Sequence, residues 1–167
     1  MAESAADRPH KVVALDAAVV DSSAVMSIFE QRASAEAFRQ ALKRCGSLCM
    51  SAGTLALLSI LFRSRKGTDG PGILDSYLAD QGVAIVAFDA TDLATLRQGC
   101  DLFGKGNHPA NLNYGDLFAY SLARKLGLPI LFEGLDFAKT DLVDAMKALG
   151  YSFTKEHSPF IAEVAER

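Results

Sequence analysis

Apolar residues fall along this chain in two alternating kinds of run. Short, partly β-branched stretches, AVV (18–20), SLCMS (47–51), VAIVAF (83–88) and PILFEG (129–134), predict buried strands. Between them apolar positions recur every three or four residues, which predicts helices over 22–30, 35–44, 54–65, 73–79, 91–103, 114–126 and 141–149. Strands that alternate with helices imply an α/β fold, a mostly parallel sheet covered on both faces. In such sheets ligands bind beyond the carboxyl ends of the strands, where the strand order reverses.

The chain's totals narrow the class. With 167 residues, half of them hydrophobic and 22% charged, the sequence suits one globular domain over 11–167, preceded by a flexible polar leader at 1–10. The stretch RSRKGTDGPG (63–72) reads as a surface turn between two helices, because neither side alone holds an adequate core. The longest apolar runs, such as LALL and ILF, fall far short of the roughly 20 residues that cross a bilayer. The start MAESAADRPHK lacks the basic then apolar pattern of a secretory signal, so a cytoplasmic protein is expected. Cys45, Cys49 and Cys100 have neither metal-site spacing nor histidine partners, and reduced thiols are expected. A net charge of -3 argues against a broad phosphate-gripping surface, though not against a local basic patch or a metal that carries the positive charge.

The strand-end rule turns attention to three aspartates. Asp21 directly follows AVV, Asp136 follows PILFEG by two residues, and Asp116 opens the helix that leads into PILFEG. Each has an ordinary reading. Asp21 or Ser22 can cap the first helix, Asn113 and Asp116 have the spacing of a capping pair, and Asp136 can belong to a turn. Three carboxylates brought to one edge would repel one another unless a cation or proton relieved them. Mg²⁺ is the natural counter-charge, and metal-assisted phosphodiester hydrolysis is the leading chemistry.

Three segments carry a resemblance: VVDSSA (19–24), MSAGT (50–54) and GKGNHPANLNYGDLFAYSLARKLGLPILFEGLDFAKTDL (104–142). Over about residues 18–145 the chain resembles the PIN-domain ribonucleases, specifically the VapC-type toxins of bacterial toxin–antitoxin pairs. The resemblance implies an α/β/α three-layer sandwich, Mg²⁺- or Mn²⁺-dependent cleavage of RNA, and inhibition by a cognate VapB-type antitoxin. It also implies that Asp21, Asp116 and Asp136 are the catalytic and metal-holding acids. Ser23 matches a small hydroxyl residue near the metal and Asn113 the asparagine of the third motif, and the resemblance implies that Lys105, in a glycine-flanked loop, would face RNA phosphates.

The chain departs from that pattern in two places. Such nucleases carry a glutamate in the helix after the second strand, and here Leu57 stands in its place, with no Asp or Glu between Glu36 and Asp69. Near Asp136 the family's second acid is replaced by Leu135. Asp141 is an additional metal-ligand candidate that would compensate. Two readings therefore stand: an active ribonuclease toxin, or a catalytically impaired PIN-fold module that binds RNA or an antitoxin. A receiver-like, phosphate-handling α/β protein is a third. His108 and the run Arg63, Arg65, Lys66 read as a loop histidine and a solvated helix end. The apolar helices at 24–42 and 54–62 offer a homodimer face, a groove for an antitoxin helix, or ordinary core.

Overall fold

The computed structural model describes residues 13–152. The leader expected at 1–10 lies outside the described residues, as do positions 153–167. β1 (Leu15–Val20) is the central strand, and the sheet order is β3-β2-β1-β4, with β2 at Cys45–Ser51, β3 at Val83–Val86 and β4 at Ile130–Leu131. All three pairings are parallel, with Val19 opposite Cys49, Ser51 opposite Val86 and Val20 opposite Leu131. β1 has both faces covered: Ala18 and Val20 join one buried cluster and Val19 the other. A strand sandwiched in this way reads as a continuous apolar run, which is why AVV is legible as a strand.

Helices form the outer layers. α1 (Ser22–Phe29), α2 (Ala35–Lys43), α3 (Ala52–Lys66) and α4 (Gly70–Asp80) build one side of the core, with Phe38, Leu58, Phe62 and Leu74 buried among them. α6 (Tyr114–Leu126) covers the other side through Leu117, Tyr120 and Leu122, beside α5 (Leu93–Phe103). The three-layer α/β/α arrangement is thus the one expected. The chain winds outward through β2 and β3, then returns to the far side of β1 as β4, so the strand order reverses between β1 and β4. Asp21 N–H donates to Leu131 O across that junction (2.9 Å).

Several elements differ from their predicted spans for local reasons. The stretch 63–72 is largely helical: α3 continues to Lys66, Gly67 turns it at φ 74°, and α4 begins at Gly70 after a single 3₁₀ turn. A Cβ on Gly70 would sit 2.3 Å from Phe62 O, so the two helices approach more closely than any other residue allows. β4 stops at Leu131 because Glu133 N–H donates to the Ser23 hydroxyl instead of a neighbouring strand. The predicted helix at 141–149 shrinks to α7 (Ala145–Ala148), since Ile130 N–H takes Val143 O as acceptor and draws 143–144 alongside β4.

α3 and α6 meet where Gly53 faces the Phe118 ring, and a Cβ there would stand 2.2 Å from a ring carbon. Phe118 is held edge-on between Phe88 and Tyr114, so it has little freedom to move aside. Gly53→Ala is expected to destabilise the protein by about 1–3 kcal/mol. An unchanged urea midpoint would show that this contact yields without strain.

Candidate active site

Asp21 leaves β1 with extended backbone (φ -84°, ψ 158°) and caps α1. Its Oδ2 accepts from Ser23 N–H (2.9 Å) and from the Ser23 hydroxyl (2.5 Å). The same hydroxyl accepts from Glu133 N–H (3.0 Å), so Ser23 ties the end of β1 to the segment leaving β4. Asp21 is 1% exposed, and its Oδ1 has no hydrogen-bond partner. Buried polar atoms are almost always paired, and a lone carboxylate oxygen calls for an ion, a water or a proton. Burial raises the Asp21 carboxyl above its ordinary range against the pull of Ser23, and the charge on Asp136 adds to the rise.

Asp116 occupies the first turn of α6 and has two roles at once. Its Oδ2 accepts from Asn113 N–H (2.8 Å), while Asn113 Oδ1 accepts from Gly115 N–H (2.8 Å) and Asp116 N–H (3.1 Å), a reciprocal cap. A carboxylate at a helix N-terminus is ordinarily favoured in its charged form. Here the opposite holds: burial, then Asp21, push it up to about 7, Asn113 opposes, and Asp136 adds a smaller rise. Desolvation and crowding therefore outweigh the cap and the helix dipole.

Asp136 opens a 3₁₀ turn at Phe137–Lys139 without making a side-chain cap bond. Partial desolvation raises its carboxyl, and Lys139 opposes. The fold thus brings Asp21, Asp116 and Asp136 within electrostatic reach of one another. Among the described residues no three carboxylate, imidazole or thiol groups are closed into a ready coordination shell. Oxygen donors that repel one another, one with an orphaned buried atom, suit a hard cation that keeps several of its waters.

The other expected residues are distributed unevenly. Lys105 is exposed, and its N–H donates to Leu112 O (2.9 Å), which sets the glycine-flanked loop beside Asn113. With Asn113 Oδ1 committed to the cap, its amide nitrogen is what remains for a substrate. Asp141 is held elsewhere, accepting from the Tyr120 hydroxyl (3.1 Å) and pairing with Arg124 (3.4 Å). Leu57 is half-buried, and a Cβ on Gly115 would lie 2.5 Å from its Cδ2, so residue 57 reaches the first turn of α6 beside Asp116. Leu135 is 43% exposed. His108 is structural: its Nδ1 accepts from Ala110 N–H (3.1 Å) and its ring stands edge-on to Phe103. Arg63, Arg65 and Lys66 lie in the last turn of α3, favourable to its negative end.

Two polar groups escaped the sequence reading. Glu133 supplies the N–H that holds Ser23, while its own carboxylate accepts from Arg32 and Ser34. Its place at the end of PILFEG was the available signal, since the strand-end rule applies to it as much as to Asp136. Thr54, in the first turn of α3, has a buried hydroxyl with no partner. No pattern in the sequence marks that hydroxyl.

Comparison with known proteins places the chain among relatives. The PIN domain family model matches residues 18–143. The chain is 34% identical over 125 residues to ribonuclease VapC42 of Mycobacterium tuberculosis, an alignment that spans 74% of this chain and 95% of the relative. It is 38% identical over 124 residues to ribonuclease VapC of Mycolicibacterium smegmatis, spanning 74% of this chain and 96% of that one. Among solved structures the fold is similar to Mycobacterium tuberculosis VapC20, a Sarcin-Ricin loop cleaving toxin, with a TM-score of 0.62 at 14% identity over 75% of this chain and 96% of that chain. A chain of VapBC2 from Rickettsia felis, bound to a DNA fragment from its promoter, has a TM-score of 0.58 at 15% identity over 76% and 96%.

Proposed function

Since the chain belongs to the PIN-domain family, we propose that it is an endoribonuclease toxin that hydrolyses RNA phosphodiester bonds and is restrained by a cognate VapB-type antitoxin. The observation that carries this reading is the cluster at the carboxyl edge of the sheet, with Asp116 pushed up to about 7 by burial and by Asp21. Curated relatives that align over nearly their whole length are ribonucleases. Solved toxin–antitoxin assemblies from Rickettsia felis and Klebsiella pneumoniae share the fold. Among the described residues no helix is long and apolar enough to cross a membrane.

Asp21, Asp116 and Asp136 are the residues we assign to a divalent cation, Mg²⁺ or Mn²⁺. When bound, the ion supplies a polarised phosphate and a water of lowered pKa. The chain's own residues do the positioning. Ser23 fixes Asp21 Oδ2 and leaves Oδ1 unpartnered, and the Asn113 cap fixes Asp116 Oδ2. Asn113 and Lys105 are assigned to the RNA backbone, the lysine as a point charge against phosphate. A groove of about 430 Å³, lined by Met26, Phe29 and Phe62 with Glu30, Arg65 and Lys66, is the place we assign to an apolar helix face of the antitoxin.

Leu57 motivates a second reading, a PIN-fold module that binds RNA or antitoxin with little turnover. RNA incubated with the purified, antitoxin-free chain separates the two. Cleavage that requires Mg²⁺ or Mn²⁺ and stops on chelation is the expected result. RNA left intact at every metal concentration by an antitoxin-free chain that still binds RNA, or binds the antitoxin when it is added back, would establish the second reading.

A further inference from the structure

Tyr114 has no part in the site as described, yet its position is unusual. It is 74% exposed, the most exposed of the large hydrophobic side chains among the described residues, and it lies between Asn113 and Asp116. The cap of α6 is made by Asn113 and Asp116, so nothing in the helix start requires an aromatic ring at this point. Nor is the ring unsupported. It stands edge-to-face with Phe118 (centroids 5.1 Å apart, planes at 87°), and Phe118 stands edge-to-face with Phe88 (4.9 Å, 81°). Phe118 is itself blocked from behind by Gly53. The three rings form a row with Phe118 in the middle, at the junction of α3 and α6, and Tyr114 at one end as its most exposed member.

A perpendicular contact with Phe118 occupies at most one face of the Tyr114 ring. An open aromatic face that is already immobilised loses little freedom when a flat ligand lies on it. Single-stranded RNA offers such a ligand at every nucleotide, and proteins grip it by combining stacking on aromatic rings with cations along the backbone. The cation is present as well: Lys105 is exposed, in the loop that its own N–H ties to Leu112, next to Asn113.

We propose that Tyr114 is a base-stacking residue on which a nucleobase adjacent to the cleaved phosphodiester lies, setting the strand in register with Asp116. This inference rests on the ribonuclease reading above and names how the RNA strand is held. Stacking tolerates any base, so Tyr114 contributes affinity and register, while sequence choice comes from other contacts.

The test is equilibrium binding of a fluorescent 12-nucleotide single-stranded RNA of mixed sequence, measured beside a strand of equal length in which every nucleotide is an abasic tetrahydrofuran unit. The full chain is used in an Asp116→Asn background to prevent turnover, with Tyr114→Leu, Tyr114→Phe and Tyr114→Trp compared. Tyr114→Leu is expected to weaken binding of the RNA about tenfold, whereas Phe and Trp stay within about twofold of Tyr. The abasic strand should bind all four proteins equally. RNA binding unchanged in Tyr114→Leu, an equal loss on the abasic strand, or no RNA binding by the Tyr114 protein would each overturn the proposal. So would sedimentation showing that Tyr114→Leu breaks an oligomer, which would make the ring a contact between copies of this chain. Cleavage by the unmutated chain is scored separately. A chain that cuts RNA but binds it independently of Tyr114 keeps the ribonuclease reading and loses the stacking residue. Tyr114-dependent binding without cleavage does the reverse.

Discussion

Asp116→Asn is expected to slow RNA cleavage by at least about a hundredfold, a loss typical of removing one electrostatic participant, and at pH 8 without divalent cation to make the protein more stable. Asparagine keeps the shape and an acceptor oxygen for Asn113 N–H, so the start of α6 survives. What disappears is a charge that the folded chain holds against burial first, then Asp21, and then Asp136. The folded carboxyl titrates at about 7, against an ordinary 3.8. A raised acid contributes its stability in full below about pH 4 and loses it as pH rises through about 7. Below about pH 4 the unmutated protein and the variant therefore melt together, and the variant's advantage grows as pH rises from about 4 to about 7 and is complete above that. The shift itself corresponds to roughly 4 kcal/mol. Solvent around this partly exposed carboxyl reduces the expected gain to about 1–2 kcal/mol. Melting curves in chelator at pH 4, pH 5.5 and pH 8 check it. Equal stability at pH 8 would mean that the three carboxylates do not crowd, and undiminished cleavage would remove Asp116 from the site.

Leu57→Glu is expected to bind Mg²⁺ or Mn²⁺ roughly 10–100-fold more tightly than the unmutated chain, the scale for one added unit charge at partly shielded short range. Residue 57 ends against Gly115, in the turn that carries Asp116. An unbranched glutamate follows the path of the leucine side chain and delivers its carboxylate to the same turn. Without metal the substitution costs stability, about 1–3 kcal/mol at pH 8, because it gives up apolar contact and adds a fourth like charge. Calorimetric titration with Mn²⁺ reads the affinity, and melting in chelator reads the cost. Unaltered metal affinity would show that position 57 does not face the ion. Cleavage that rises with the added carboxylate would mean that leucine at this position throttles the natural enzyme. Tighter metal binding with unchanged cleavage would mean that three aspartates suffice.

Both results turn on residues whose importance was readable at different levels. Asp21, Asp116 and Asp136 were legible because strand and helix periods locate the carboxyl edge of a parallel sheet. Leu57 was legible as a departure from a pattern, and its packing on Gly115 is what shows where the missing carboxylate would have pointed. Asp141 was only an additional candidate in sequence, because it too follows the last strand but sits near the start of the last predicted helix. Tyr120 and Arg124 hold it on another part of α6, a pairing made by residues 21 and 17 positions away in the chain.

The loss of a fourth acid was legible only against the family's pattern, whereas the order of elements, the α/β class and the three acids were determined by the sequence itself. They depend on periodicity and on chemistry at strand ends, which are local properties. Tertiary structure alone decided what each acid experiences. Asp21 has one oxygen bound through Ser23 to Glu133 and the other left bare. Asp116 is driven up by burial and then by Asp21 and Asp136, both remote in sequence, and Tyr114 is left in the open beside it. Burial and charge proximity belong to the packed chain, because desolvation depends on every element that closes over a group and Coulomb interaction on distance through space.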